Sequence, residues 1–279
     1  MPDSTNNSSS ARFMNGTIPA GLLAAVRSGR PLVHHITNSV TINDCANITI
    51  SAGAAPVMAE APEEVAEMVA AAGALVLNIG TLSATQVEAM LIAGRRANDL
   101  GIPVVLDPVG VGATRFRTET AQRLLDALDV AVLKGNAGEI GVLAGTGGNV
   151  RGVDSGGVTG DPVETARACA RSTGTVVSMT GAVDVVTDGS RVYLVKNGNP
   201  AMDRLSGTGC MASSVTAAFV AVADDYAVAS AAALAAFGLA GERAACGARG
   251  PYSFRTGLFD ELAGLVTDDL TRGALIEEH

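Results

Sequence analysis

The chain has 279 residues, a formal charge of −9 and a pI near 4.8. That balance argues against an electrostatic hold on nucleic acid or anionic lipid, so any anionic substrate must be held by local devices such as helix N-termini, one or two basic side chains or a metal ion. Hydrophobic residues make up 48% of the chain, much of it alanine. The longest apolar stretch, 227–241, is about 15 residues, short of the roughly 20 a membrane-spanning helix needs.

The first ten residues are rich in Asn and Ser. They read as a disordered tail, set at 1–14, and not as a signal peptide. Thr17 is the expected cap of a first helix, with Pro19 in its first turn and Gly29 past its end. Buried strands are predicted at 31–36, 56–59, 74–79, 103–106, 130–133 and 175–179. Ser83 with Gln86 forms a capping-box pattern before a helix at 87–100, Thr118 is placed as the cap of a helix through 128, and Asn136 with Glu139 repeats the box pattern. Residues 144–160, rich in Gly and Asp, read as a mobile surface loop. Around Asp188-Gly189, segments 183–187 and 192–195 alternate as a hairpin. Helices follow at 211–222, 227–245 and 258–270. Strands alternating with helices give an α/β fold with a mainly parallel sheet covered on both faces, an antiparallel hairpin at one edge, and one domain over 15–279.

The four cysteines, Cys45, Cys169, Cys210 and Cys246, show no metal spacing, and with three histidines they complete no zinc site. Unpaired cysteines fit a reduced, cytoplasmic setting.

Ligands of an open α/β sheet bind beyond the carboxyl ends of its strands. Polar and glycine residues collect there: Thr37-Asn38, Met58, Gly80-Thr81, Asp107-Pro108-Val109-Gly110, Lys134-Gly135-Asn136 with Glu139, and Thr180-Gly181. The turn Ser206-Gly207-Thr208-Gly209-Cys210 precedes a long helix. Two glycines one residue apart let successive N–H groups point into one concavity, and the helix dipole adds to it. Such a turn suits a transferring phosphoryl group, or it is a glycine-rich helix start packed for steric reasons. Cys210, in the first helical turn, is a thiol whose pKa a helix N-terminus lowers, able to take a proton from a hydroxyl, or a packed structural cysteine. Asp107 and Glu139 suit Mg²⁺, or they close a turn and a capping box. Lys134, one of two lysines beside 17 arginines, suits a nucleotide phosphate or a solvated strand end. Met58 fits core packing or contact with a flat ring. His34 and His35, adjacent on a strand, are read as structural. GxxxxGK[ST] is absent, and Gly145-Thr146-Gly147-Gly148-Asn149-Val150 lacks the third glycine of a dinucleotide fingerprint.

Taken in order, Pro31-Leu32-Val33-His34-His35-Ile36-Thr37-Asn38 with Asn43, Pro56-Val57-Met58, Leu106-Asp107-Pro108-Val109-Gly110, Lys134-Gly135-Asn136 through Glu139, Thr180-Gly181 and Gly207-Thr208-Gly209-Cys210-Met211 resemble the hydroxyethylthiazole kinase family, from about residue 20 to 270. The resemblance implies a ribokinase-like fold and phosphorylation of 4-methyl-5-(2-hydroxyethyl)thiazole by ATP and Mg²⁺ in thiamine biosynthesis or salvage. It also implies a homotrimer with sites between subunits. By position, Met58 and Gly207 match thiazole-binding residues, Asn38 lies beside the substrate pocket, Lys134 and Thr180 match ATP-binding residues, and Asp107 and Glu139 match the acidic pair near the metal. Cys210 stands as the catalytic base. This chain departs from the family where Lys134 replaces an arginine, losing bidentate phosphate contact, and related ribokinase-type enzymes place aspartate at the Cys210 position. The alternatives on the same fold are a kinase for another small alcohol (hydroxymethylpyrimidine or pyridoxal), a nucleotide-dependent dehydratase, and a catalytically silent ligand-binding protein.

Overall fold

The computed structural model describes residues 12–146, 148–151, 154–158 and 160–279. In chain order the elements are β1 (Arg12–Phe13), α1 (Thr17–Gly29), β2 (Leu32–Ile36), α2 (Ile42–Ala52), β3 (Ala55–Met58), α3 (Val65–Ala70), β4 (Ala74–Asn78), α4 (Ala84–Asp99), β5 (Val104–Asp107), α5 (Arg115–Ala127), β6 (Val132–Asn136), α6 (Ala137–Leu143), β7 (Gly148–Arg151), β8 (Asp154–Val158), α7 (Pro162–Thr173), β9 (Val176–Thr180), β10 (Asp184–Thr187), β11 (Val192–Val195), a 3-10 turn at Pro200–Arg204, α8 (Thr208–Val220), α9 (Tyr226–Gly247), α10 (Pro251–Gly264), α11 (Thr267–Gly273) and β12 (Ile276–Glu278).

Ten strands form one sheet in the order β1-β12-β11-β10-β9-β6-β5-β4-β2-β3. From β9 to β3 the pairing is parallel, and from β9 to β1 it is antiparallel. Alternate strand residues supply two cores. Ala74, Val76, Val105 and Val132 face α1, α2 and α8–α11, whereas Leu75, Leu77, Leu106 and Leu133 face α3–α7. This period of two explains why β4 and β5 read as unbroken apolar runs: both of their faces are covered. The alanine content has its reason here too. Most of α8 and of α9 is buried, and small side chains let α8 pack closely against the sheet, α2 and α9, and α9 against the sheet and α10.

Several boundaries differ from the sequence reading. Asn15 accepts the N–H of Thr17 through its side chain, so Thr17 is the first helical residue rather than the cap, and α1 runs through Gly29 to end on left-handed Arg30 (φ 44°). Thr114, not Thr118, caps α5, because its backbone is extended and its side chain accepts from Arg117 N. Thr118 lies inside the helix and donates back to the Thr114 carbonyl. The helix expected at 258–270 is two, α10 and α11. The Arg27 guanidinium takes the carbonyls of Leu262, Ala263 and Leu265 and so ends α10. Within 144–160, the backbones of β7 and β8 pair as a hairpin; residues 147, 152, 153 and 159 of that expected loop lie outside the described residues. The expected N-terminal tail lies outside them through residue 11, and Arg12–Phe13 pairs with the C-terminal strand.

Candidate active site

The Gly207 turn is shaped by its contacts. Gly207 has φ +92°, and a Cβ there would lie 2.4 Å from Thr41 Cγ2, so both conformation and space demand glycine. No side chain caps α8. Its helical ladder starts with Met211 N donating to Gly207 O at 2.9 Å, and the N–H groups of Thr208, Gly209 and Cys210 have no hydrogen-bond partner among the described residues. Three free donors at the positive end of a 13-residue helix make a ready anion site.

Lys134 comes to that turn from β6. Its side chain is buried, and Nζ donates to Gly209 O at 2.9 Å. A solvated strand end is therefore ruled out for Lys134, whose ammonium stands at the first turn of α8.

Cys210 Sγ accepts two amide hydrogens, from Asn38 Nδ2 and Asn78 Nδ2, each at 3.3 Å. Asn78 Nδ2 also donates to Asp107 Oδ2 at 2.9 Å, and Asn78 Oδ1 accepts from Asn38 Nδ2 at 3.0 Å and Gly80 N at 2.9 Å. Asn38 Oδ1 in turn takes Thr41 N and Thr41 Oγ1, each at 3.0 Å. One sequence-based expectation meets an opposing effect here. Burial pushes the Cys210 thiol up, with the Asp107 charge second, and Lys134 together with the hydrogen bond from Asn78 only partly opposes this. Burial thus acts on Cys210 in the sense opposite to the lowering expected from the helix end.

Asp107 closes β5, 2% exposed. Its Oδ2 accepts from Asn78 Nδ2 and from Ser213 Oγ at 2.7 Å, while Oδ1 has no partner among the described residues. Glu139 does both things the sequence left open. It closes the capping box of α6, with Asn136 N donating to Oε2 at 2.8 Å, and its Oε1 accepts Gly110 N at 2.8 Å from the loop after β5. Burial and then the charge of Asp107 push its carboxyl up to about 7, against the pull of those two N–H groups and of Lys134.

Thr180 ends β9 in register with Asn136 and sends Oγ1 toward Gly135 O at 3.4 Å. Met58 ends β3 in register with His35. At about 4.8 Å per strand, Thr180 lies two strands to one side of Asp107 and Met58 three strands to the other. His34 and His35 are buried and hold structure: His34 Nε2 meets Ala59 O at 2.8 Å, and His35 Nε2 meets Ser214 Oγ at 3.1 Å.

The sequence reading missed Asn78 and Ser213. An asparagine closing an apolar run of strand is out of place in a buried strand unless its amide is used. Ser213 follows Cys210 by three and Gly209 by four, which puts all three on one helix face. A cleft lined by Arg95, Asn98, Asp129 and Thr175 lies at the opposite ends of the strands and plays no part in this cluster.

The hydroxyethylthiazole kinase family model matches residues 23–268. Over 278 residues, covering 100% of both chains, the sequence is 87% identical to a hydroxyethylthiazole kinase of Methanoculleus marisnigri. It is 64% identical to one of Methanosphaerula palustris over 92% of this chain and 97% of that one. Among solved structures, a hydroxyethylthiazole kinase protein of Pyrococcus horikoshii superposes with a TM-score of 0.85 at 40% identity, covering 94% of this chain and 98% of the other. A ribokinase-like superfamily protein of Enterococcus faecalis, 13% identical with a TM-score of 0.66 over 92% and 96% of the two chains, shares the fold.

Proposed function

The chain belongs to the hydroxyethylthiazole kinase family, and from that premise we propose how its residues phosphorylate the hydroxyl of 4-methyl-5-(2-hydroxyethyl)thiazole with ATP. The observation that carries the reading is the convergence of three free N–H groups, the Lys134 ammonium, the Asp107 carboxylate and the Cys210 sulfur on the first turn of α8. The nucleotide lies on the Thr180 side and the thiazole on the Met58 side, with Gly207 and Asn38 between thiazole and helix. Donor and acceptor then meet over Cys210.

Phosphoryl transfer needs alignment and charge neutralisation more than a strong base. The α8 N–H groups and Lys134 receive the negative charge spread over the transferring group. As the thiolate, Cys210 Sγ, an acceptor toward two amides, takes the hydroxyl proton while the oxygen attacks the γ-phosphorus and the bond to ADP breaks. Burial pushes the thiol up and so disfavours that thiolate. The transfer tolerates a scarce base, because alignment and charge neutralisation carry most of it.

Asp107 and Glu139 fit Mg²⁺. Two carboxylates with phosphate oxygens and water satisfy its octahedral preference, and Asp107 has an unpartnered Oδ1 while Oδ2 is pinned by Asn78 and Ser213. When bound, the ion neutralises phosphate charge and orients the transferring group.

We extend the reading to a single domain over 15–279, a cytoplasmic location and a homotrimer with sites between subunits. Met58 lies on the last strand of the sheet, whose outer edge pairs with no strand among the described residues, and Ile50 on the preceding helix α2 and Val40 just before that helix stand exposed. No helix among the described residues is long and apolar enough to cross a membrane.

The test is ATP consumption with and without hydroxyethylthiazole, with the product mass read alongside. Nucleotide loss only with the thiazole, matched by a phosphorylated thiazole, supports the reading. Consumption with hydroxymethylpyrimidine or pyridoxal instead refutes it.

A further inference from the structure

Arg117, on the third residue of α5, has no place in the site described so far. Its backbone is fixed by the helix cap, Thr114 Oγ1 accepting Arg117 N at 3.3 Å. Its partly buried guanidinium donates to three carbonyls: Nη1 to Ile79 O at 2.9 Å and Val109 O at 2.7 Å, and Nη2 to Gly80 O at 2.8 Å. These carbonyls lie just after Asn78 and Asp107, which face each other in register on β4 and β5.

Two of the three belong to peptide groups whose other end is already engaged. In the Ile79–Gly80 peptide, the carbonyl meets Arg117 while the Gly80 N–H donates to Asn78 Oδ1 at 2.9 Å. In the Val109–Gly110 peptide, the carbonyl meets Arg117 while the Gly110 N–H donates to Glu139 Oε1 at 2.8 Å. A trans peptide is planar, with N–H and C=O on opposite sides, so holding the carbonyl end aims the N–H end. The loop also closes tightly on the arginine: a Cβ on Gly110 would lie 3.2 Å from Arg117 Cδ.

We propose that Arg117 is a positioning residue for phosphoryl transfer. Through one peptide it orients the Asn78 side chain, whose amide hydrogens hold Asp107 and Cys210. Through the other it orients the Glu139 carboxylate. A guanidinium suits the task because it is a rigid, permanently charged fork of donors, whereas a lysine ammonium on a flexible stem cannot keep the same three partners in the same directions. This role rests on the reading of Asp107, Glu139 and Cys210 as the transfer site.

The experiment compares wild type, Arg117→Lys and Arg117→Ala, recording kcat, both KM values, the Mg²⁺ concentration for half activity and the thermal midpoint. For Arg117→Ala the expected result is a kcat lower by about tenfold to a hundredfold with the thiazole KM within about threefold, the pattern of lost transition-state alignment. Half-saturating Mg²⁺ rises several-fold, roughly in step with the loosened carboxylates. Millimolar ethylguanidinium restores part of the rate to Arg117→Ala and none to wild type, and Arg117→Lys falls between the two. A folded Arg117→Ala or Arg117→Lys protein with wild-type kcat and Mg²⁺ requirement overturns the proposal. So does loss of kcat in a variant whose thiazole KM rises equally and which ethylguanidinium does not rescue. If Arg117→Ala does not fold, Arg117→Lys decides by the same readings. A wild type that consumes no ATP with the thiazole refutes the site itself, whereas an active wild type indifferent to these substitutions refutes only the role of Arg117.

Discussion

The Lys134 ammonium lies 2.9 Å from the carbonyl oxygen of Gly209, in the first turn of α8. A buried cation beside three free helix N–H groups turns a weak glycine-rich pattern into a concentrated positive end. The chain is acidic overall, so any attraction for polyphosphate has to come from such a local device.

Lys134→Met removes that charge. We expect kcat/KM for ATP to fall about a hundredfold, the scale of losing one oriented donor to a transition state, while thiazole affinity stays near wild type. Steady-state kinetics with ATP varied, together with calorimetric titration of the thiazole, checks this. Equal weakening of both ligands would place Lys134 in the packing of the turn.

Cys210→Asp is expected to keep or raise turnover, because a carboxylate accepts the hydroxyl proton more readily than a buried thiol and Asn38 and Asn78 still donate to it. Cys210→Ala should lower turnover only modestly, since alignment by Lys134 and α8 survives. Complete loss in the aspartate variant, with fold and ligand binding intact, would remove Cys210 from the role of base.

Asp107→Ala takes away the carboxylate on which Asn78 and Ser213 converge. Mg²⁺-dependent kcat should drop by roughly a hundredfold or more, far beyond any change in thiazole binding. A Mg²⁺ titration of activity beside thiazole calorimetry tests it, and matching losses would make Asp107 structural.

Gly207→Ala meets two obstacles, a φ of +92° and a methyl 2.4 Å from Thr41 Cγ2. We expect a loss of about 2 kcal/mol or more in stability. Adding Thr41→Ser removes the methyl in conflict, so the double variant should recover part of the loss while the backbone term remains. Chemical denaturation of the two single variants and the double gives the coupling; strict additivity would show that the contact is unimportant.

Glu139 sets a pH dependence. Its folded pKa, pushed up to about 7, lies above the usual carboxylate value, so the folded protein holds a proton that the unfolded chain has released. Stability of the metal-free protein therefore falls as pH rises from about 4.5 to 7. Asp184, also raised to about 7 by burial, adds a slope of the same sign. Glu139→Gln should flatten the Glu139 part, leaving a shallower decline. Thermal midpoints across pH, measured without Mg²⁺, decide; an unchanged slope would mean that Glu139 is charged throughout.

The architecture was legible in the sequence, and so was the end of the sheet at which the polar and glycine residues collect. Strand and helix periods differ, apolar runs mark strands covered on both faces, and Gly207, Asp107, Lys134 and Thr180 all fall just beyond or at the ends of such runs. The Asn136–Glu139 box was readable because both of its partners lie within one helical turn. Contacts across the sheet were not readable. Asn78 looked like part of an apolar strand until β4 met β5, and Ser213 looked like one more small residue of a buried helix until α8 crossed Asp107. The thiol of Cys210 shows the limit most clearly, since the helix end that lowers its pKa is local and visible in sequence. The burial that raises it comes from β4, β5 and α2 closing around it, and only the tertiary structure decides which of the two prevails.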